Sequence, residues 1–491
     1  MAEEEKSVAR EPAAGADDLS RPVGTGATAG DHGCPERMDD GQPCGRPIYT
    51  APPGVDKEPV CLMHSRDQGK SDEEFQEEFE RILNEAGDGI ADFTRFVFPS
   101  CNYSGRTFKA RCIFWHATFT QAADFGGATF TQDADFHWAT FTREANFGRA
   151  TLEQAADLGY ATFTQAAYFR VATFTGHAHF VWATFSEAAE FGHATFTQDA
   201  VFIGATFTEA ADFRLAVFKQ GAQFRETKFR EDERPKPGPI FGEAMFEKPE
   251  AVVFYKTYLG QALFHNCDVS KLTFSDVRWR RRKNGKWKVL EEEPGLDLRI
   301  PWALDLRPPE KSADERNYTL IAELYQQLKK NYDAKCDYRT AGDFHYGEME
   351  MKRLSSPRRN KLLRWLHRNL GLVAWYKYAS EYGENYVLPA LWLLVVLLAF
   401  AMIYPLAGLD PVRSVGQATA LHSERRTSQV GLVEAYSGPN VMTTVGVAFF
   451  QRDLEYRPAY PWGRALSWLQ LLLTYTLVAL FLLALRRQFR R

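Results

Sequence analysis

The sequence predicts a β-solenoid with four-sided coils, followed by a helical half that enters a membrane, and three observations carry that expectation. From Phe108 to Phe229 a large apolar residue returns at alternating steps of six and five, nearly always with an alanine two places before it. Trp138, Tyr160 and Trp182 recur 22 residues apart, each just outside a corner of that pattern. The uncharged stretches Val387–Leu406 and Ala465–Leu485 are each long enough, at 1.5 Å per residue, to cross a ~30 Å hydrocarbon layer.

The repeat is the first element to justify. A period of 3.6 scatters the phenylalanines around a helix axis, and a period of 2 puts successive ones on opposite faces of a strand. A coil with one inward position per side, separated by a corner, returns each phenylalanine to the same column. Each turn then buries the next, as in other short-period solenoids. The alanine two places earlier also points inward and must be small to pass the corner. Units such as Ala123-Asp124-Phe125, Ala134-Asp135-Phe136 and Ala211-Asp212-Phe213 resemble those of pentapeptide-repeat proteins, whose A-(D/N)-(L/F)-x-x units wind into a right-handed, four-sided β-helix. The departure is one extra residue in every second unit, as in Thr131-Gln132-Asp133 and Thr142-Arg143-Glu144, which lengthens the coil to 22 residues.

The aromatic recurrence tests that count independently. His116 continues the series Trp138, Tyr160 and Trp182 backwards, whereas the opposite corner carries Gly127, Arg149, Val171, His193 and Leu215. Alternate elevens therefore agree and adjacent ones differ, leaving one marked edge at Trp138, Tyr160 and Trp182 as a candidate partner-binding surface. Steps of five flank the tract, at Phe93, Phe98, Tyr103 and Phe108 before it and at Phe254, Leu259, Phe264, Val269, Phe274 and Trp279 after Phe241 and Phe246. The solenoid is expected over 91–280, with the charged, proline-rich insert 230–240 thrown out as a loop. Its 34 core positions make about eight coils, roughly 40 Å long at ~4.8 Å per coil.

Ahead of the solenoid, residues 1–30 read as a disordered, acidic, cytoplasmic tail without a secretory signal. Free cysteines such as Cys112 and Cys267 are then expected to be reduced. Cys34, Cys44, Cys61 and His64 form C-x9-C-x16-C-x2-H within 31–70, a donor set suited to structural zinc. The segment looks like the cysteine-rich modules that precede some pentapeptide-repeat membrane proteins. Over 71–90 a capping helix is expected, running from Ser71 as N-cap to Ala86, with Asp72, Glu73 and Glu74 in its first turn and Phe75, Phe79, Ile82 and Leu83 on one face.

Behind the solenoid, 281–311 reads as a linker with a hairpin, since the seven basic residues of Arg278–Lys288 fit a turn between strands. Over 312–385 two amphipathic helices, Ser312–Tyr332 and Tyr338–Leu354, precede a membrane-surface helix at Leu362–Tyr378. The pair resembles the helical connector of pentapeptide-repeat proteins with C-terminal spans. Asp343, His345 and Glu348 invite a catalytic reading, but spacings of two and three do not put all three on one helix face.

The spans are expected at 386–407 and 465–485, with a basic tail at 486–491. Lys352–Lys377 holds eight basic and no acidic residues, and Arg486, Arg487, Arg490 and Arg491 follow the second span, so both termini are expected in the cytoplasm. The connection 408–464 then faces outside. Its Asn440-Val441-Met442-Thr443-Thr444-Val445-Gly446-Val447 run is similar to the pore segment of two-helix potassium-type channels, whose filter carbonyls strip the ion's water. That resemblance implies a filter-like role for Thr443, Thr444, Val445 and Gly446 and a tetrameric assembly, and it stops at Val447, where the family's Tyr-Gly is missing.

A net charge of −4, with 12 acidic and 11 basic side chains over 101–230, gives the coil no polyanionic character, and no nucleic-acid partner is expected. No phosphate loop, nucleophile elbow or HExxH motif is present, so no enzyme is expected. The sequence thus describes a non-enzymatic plasma-membrane protein of two spans, with a cytoplasmic β-helix arm on a pore-like module. The alternative is a membrane-anchored scaffold whose coil binds a protein partner.

Overall fold

The structure, a computed structural model, describes residues 33–231, 238–293, 317–355, 360–407, 409–411, 438–448, 456–458 and 461–489. The expected acidic tail, 1–30, lies outside the described residues.

Four parallel sheets of nine, six, seven and seven strands run the length of the solenoid, one per side, giving about 8 turns. Each two-residue strand pairs with the strand one coil later, as Phe141 with Phe163, Ala145 with Ala167, Thr151 with Thr173 and Ala156 with Ala178. Those registers are the expected 22 residues. The first coil is shorter, with Ile90 opposite Arg111, and the last pairs Val253 with Thr273, 20 residues on, where the sequence steps by fives. The insert stretches the coil that joins Ala211 to Pro239, and residues 232–237 of the expected loop lie outside the described residues.

Alternation on so short a strand sends alanine and phenylalanine inward together. Ala139, Phe141, Ala145 and Ala150 are fully buried. One large apolar side chain per side per coil, a ring everywhere from Phe108 to Phe229 except at Leu152 and Leu158, makes four columns, with centroid spacings of 4.8 Å for Phe163 on Phe185, Phe169 on Phe191 and Phe180 on Phe202, and 5.0 Å for Phe174 on Phe196. The stack spacing is the strand spacing. Burying each ring contributes about 1.5–3 kcal/mol.

The corners are tight turns closed by backbone, for example Ala139 N–H to Phe136 O at 2.9 Å. The third residue of each turn takes positive φ: Trp138 59°, Tyr160 54° and Trp182 57° on one edge, Arg149 58°, Val171 61° and Leu215 57° on the other. Left-handed backbone costs a residue with a Cβ about 1–2 kcal/mol. The ladder offsets it, because those same amides donate to the next coil, as Trp138 N–H does to Gly159 O at 2.9 Å.

Both solenoid ends are covered. Helix α1 (Asp72–Ala86) starts at Ser71, whose hydroxyl accepts from Glu74 N–H, and lays Phe75, Phe79 and Ile82 on the first coil. Phe79 stacks on Phe93 at 4.6 Å and on Tyr103 at 4.7 Å. At the far end α2 (Tyr318–Ala334) and α3 (Tyr338–Leu354) form an antiparallel pair over Phe274 and Trp279. α2 begins at Tyr318 with Asn317 as cap, and 312–316 of the expected helix lie outside the described residues. Arg280–Arg281 pairs with Trp287–Lys288 as the expected hairpin.

In the remaining half, α4 (Lys361–Leu370) and α5 (Leu372–Ser380) replace the single expected surface helix, with a break at Gly371. α4 exposes Leu362, Leu363 and Trp365. α6 (Val387–Ile403), extended by a 3-10 turn to Ala407, and α8 (Pro461–Phe489) are long and apolar enough to cross a membrane. α8 runs beyond the expected span at both ends and takes Arg486 and Arg487 into its last turn, so those two arginines are helical. Short α7 (Gly438–Ala448) packs against both.

Candidate functional site

The clearest constellation is the cysteine–histidine cluster. The nine residues between Cys34 and Cys44 form a hairpin, with bridges at Gly33–Pro47 and Arg37–Pro43 and with Gly45 N–H donating to Cys34 O at 3.0 Å. That hairpin closes a spacing that is wide for a metal knuckle. Gly33 is required for the approach, since a Cβ there would lie 2.8 Å from Gly45 O. Ile48 bridges to Cys61, and Cys61-Leu62-Met63-His64 turns back on itself.

All four ligand atoms lie within 4.8 Å of one another. A tetrahedral zinc with ~2.3 Å thiolate bonds needs sulfur–sulfur edges near ~3.8 Å and sulfur–nitrogen edges a little shorter. Cys44 Sγ to Cys61 Sγ is 3.8 Å, and His64 Nδ1 is 3.4 Å from Cys34 Sγ and 3.2 Å from Cys61 Sγ. His64 Nε2 faces Thr94 O at 3.1 Å, which orients the ring, and Arg46 donates to Cys44 Sγ at 3.1 Å. Hydrogen bonds from Cys34 and Cys61 hold the Cys44 thiol far below its ordinary range. The donor set and its geometry fit a structural metal with no open position.

The module is fastened by a residue that sequence reading missed. Lys70 is buried, and its ammonium donates to the carbonyls of Leu62, Ser65 and Val97, tying the knuckle to the first coil. Burial pulls it down to about 8. Only the fold brings those three carbonyls together.

On the solenoid the marked edge is open to solvent. Trp138 and Trp182 are 44% and 43% exposed, and α2 and α3 cap the end of the coil instead of covering this edge. His116 stacks on Trp138 at 5.6 Å and Trp138 on Tyr160 at 4.3 Å. Trp182 lies over Gly204, where a Cβ would meet the indole at 2.6 Å.

In the connector the structure brings His345 within 3.5 Å of Glu348, while Asp343 turns away and accepts from Trp287 N–H. Glu348 also takes Lys352 at 2.5 Å, and Lys329 lies 3.2 Å from His345 Nδ1. These contacts fasten α2 to α3.

A second network absent from the sequence reading joins three helices. Glu350 of α3 binds Arg353 at 2.9 Å, Lys377 of α5 at 3.1 Å and the buried Tyr382 hydroxyl. Arg487, in the last turn of α8, donates to Tyr382 O at 2.9 Å and to Glu384 at 3.0 Å. Glu381, Tyr382 and Gly383 all have positive φ, 48°, 63° and 78°. For the two residues with side chains that costs of order 1–3 kcal/mol each, so the surrounding bonds must hold the joint.

Thr443, Thr444, Val445 and Gly446 lie within α7, with both threonines buried and Val445 exposed. Tyr404 Oη donates to Gln470 Oε1 at 2.6 Å, and Gln470 Nε2 donates to Thr444 O at 2.9 Å. In a helix such carbonyls run along the axis.

Residues 114–162, 147–195 and 158–206 match the family model described as Pentapeptide repeats (9 copies). Together with the four parallel sheets, that match defines a pentapeptide-repeat β-solenoid, here followed by two long apolar helices. No curated protein and no solved structure matches the chain.

Proposed function

We propose that this is a non-enzymatic membrane protein in which a right-handed, four-sided cytoplasmic coil is the arm of a two-span, potassium-channel-like module. The observation that carries the reading is the packing of α7 between α6 and α8 through Tyr404, Gln470 and Thr444. A short helix held between two apolar ones is the layout of a two-helix pore module. Basic residues flank the inner ends of both spans, which keeps both termini cytoplasmic. The Glu350–Tyr382–Arg487 network supports a tie between the arm and the end of the second span, through the joint that precedes the first. Zinc at Cys34, Cys44, Cys61 and His64 is structural and belongs to the arm.

The oligomeric state in detergent is the first test. A pore of this kind needs four copies, and the tetramer should carry potassium flux in liposomes that Gly446→Ala abolishes. A strictly monomeric protein removes the channel reading. The exposed aromatic edge, together with the helical backbone of Thr443–Gly446, favours a second reading: a membrane-anchored scaffold whose coil binds a protein. Replacing Trp138, Tyr160 and Trp182 by alanine then releases a co-purifying partner without unfolding the coil, and unchanged recovery counts against it.

A further inference from the structure

Two parts of the chain that are far apart in sequence reach the joint from which α6 starts. One is the turn of the hairpin between Arg281 and Trp287. Lys286 beside that turn lies 3.5 Å from Glu381, and its ammonium sits over the Tyr346 ring, which meets the ring of Tyr382. The other is α5. Trp392 lies ~7.5 Å into α6, which starts at Val387, and its Nε1 donates to Tyr378 O at 3.0 Å. The last turn of α5 therefore stands beside the first turns of that span. Arg487 brings the end of α8 to the same joint at Tyr382 O. The ends of both apolar helices, the hairpin turn and α5 thus share one level.

The surface exposed at that level is apolar and basic. α4 is divided lengthwise, with Leu362, Trp365 and Leu370 on one side and Lys361, Arg364 and Arg368 on the other. Arg368 donates to Leu354 O at 2.7 Å and Arg353 to Arg368 O at 2.7 Å, so the basic side faces α3 and the apolar side faces outward. α5 continues the apolar side, with Leu372 89% exposed and Trp375 and Tyr378 open as well. No Asp or Glu occurs from Lys361 to Ser380. At the joint, each carboxylate is already held: Glu350 by Arg353 and Lys377, Glu381 by Lys286, and Glu384 by Arg487. Lys283, Lys361 and Arg486 are exposed and form no ion pair among the described residues.

We propose that the hairpin turn, α4 and α5 form a docking surface for acidic phospholipid headgroups. Lys283, Lys361 and Arg486 meet the headgroup phosphates, and the outward side of α4 and α5 enters the acyl boundary. A helix with one apolar and one basic side lies in that layer, and the surplus of unpaired cations selects the acidic lipid. Each Lys or Arg beside an acidic membrane surface contributes about fivefold in partition. The helix alone gives a membrane contact; the hairpin turn adds a contact from the end of the solenoid, so lipid charge bears on where the arm sits. The proposal rests on the reading of α6 and α8 as spans, and it is independent of conduction.

Fluorescence quenching of the full chain in phosphatidylcholine vesicles tests it. The background is Cys336→Ser, which removes the exposed native thiol. Leu363→Cys carries an NBD fluorophore, and the vesicles hold a small fraction of phosphatidylglycerol or phosphatidylcholine spin-labelled on the acyl chain near the headgroup. The labelled phosphatidylglycerol should quench at least threefold more than the labelled phosphatidylcholine, and salt at about 0.5 M should bring the two together. Lys283→Glu with Lys361→Glu should also bring them together, leaving the phosphatidylcholine quenching in place. Leu370→Cys, on the same side of α4, gives the same reading if Leu363→Cys folds poorly. Equal quenching by both lipids before any charge is changed, or a preference that survives both charge reversals, overturns the headgroup assignment. No quenching by either lipid, from a chain that resists alkaline extraction, shows that protein covers α4; the spans stand and the docking surface falls. Release of the chain by alkaline extraction overturns the spans and this proposal together.

Discussion

The two ends of the solenoid solve the same problem with different materials. At the N-terminal end the covering helix α1 lies directly ahead of the coil in sequence, and the closure is aromatic: Phe75 and Phe79 on Phe93, Phe98 and Tyr103. The Cys34–Cys44–Cys61–His64 knuckle and Lys70 fasten it from outside. The C-terminal end is closed by α2 and α3, which return after the linker, and the closure is polar as well as aromatic. Asn331 donates to the carbonyls of Val269 at 3.0 Å and Leu272 at 2.6 Å, Trp279 Nε1 donates to Tyr332 at 2.9 Å, and the buried Glu291 accepts from Phe264 N–H at 2.6 Å. The second end also leads on, since α3 continues through Glu350 to Tyr382 and Arg487. Aromatic rings therefore close both ends, fastened at the first by Lys70 and the cysteine–histidine knuckle and at the second by hydrogen bonds from α2 and the buried Glu291.

Three changes probe that division. The largest effect is expected at the N-terminal end, because structural zinc is worth ~10 kcal/mol or more in small metal knuckles. Cys61→Ser should lose one zinc per chain by metal analysis and speed amide exchange over residues 90–103, leaving 269–279 unchanged. Equal zinc content, or faster exchange at both ends, defeats the metal assignment.

At the other end, burial raises the Glu291 carboxyl to about 7, against an ordinary value of 4.5. The folded chain keeps this proton while the unfolded chain releases it near 4.5, so stability is full below that pH. It falls as pH rises through 4.5 to about 7 and is flat above. The rise corresponds to roughly 3 kcal/mol. Glu291→Gln should flatten the pH dependence of local opening at the last coil and stabilise it at pH 8. A variant with the wild-type pH profile shows that another group titrates.

The smallest effect is expected for Asn331→Ala, at about 1 kcal/mol, because it removes the short bonds to the Val269 and Leu272 carbonyls and leaves them the longer 3.4 Å contacts from Leu272 N–H and Lys335. Exchange over 269–275 should rise without change at 90–103, and a uniform loss contradicts independent ends.

Local rules were legible where neighbours in sequence are neighbours in space. The alanine–phenylalanine spacing set the coil length, including the shift to fives after Phe254, and Ser71 marked the start of α1. Four cysteine and histidine positions were readable as donors, yet the pairing of Cys34 with Cys44 across a wide spacing needed the hairpin that Gly33 and Gly45 permit. Lys70 and Glu350 carried no local signal, and Arg487 read only as part of a basic flank. A lone lysine or glutamate in a helical stretch reads as solvated surface until partners from remote elements remove the water. Gly371 splits the surface helix, and α8 keeps Arg486 and Arg487 helical, where the change in hydropathy marked an end.

By itself the sequence determined the period, the inward alanine and phenylalanine, the aromatic edge and the two apolar stretches, because burial repeated every coil leaves its imprint at fixed intervals. Only the tertiary structure decided what closes each end, that the edge is open to solvent, and that Glu350, Tyr382 and Arg487 meet. Those contacts join residues up to 105 positions apart, and no spacing rule encodes a bond formed once.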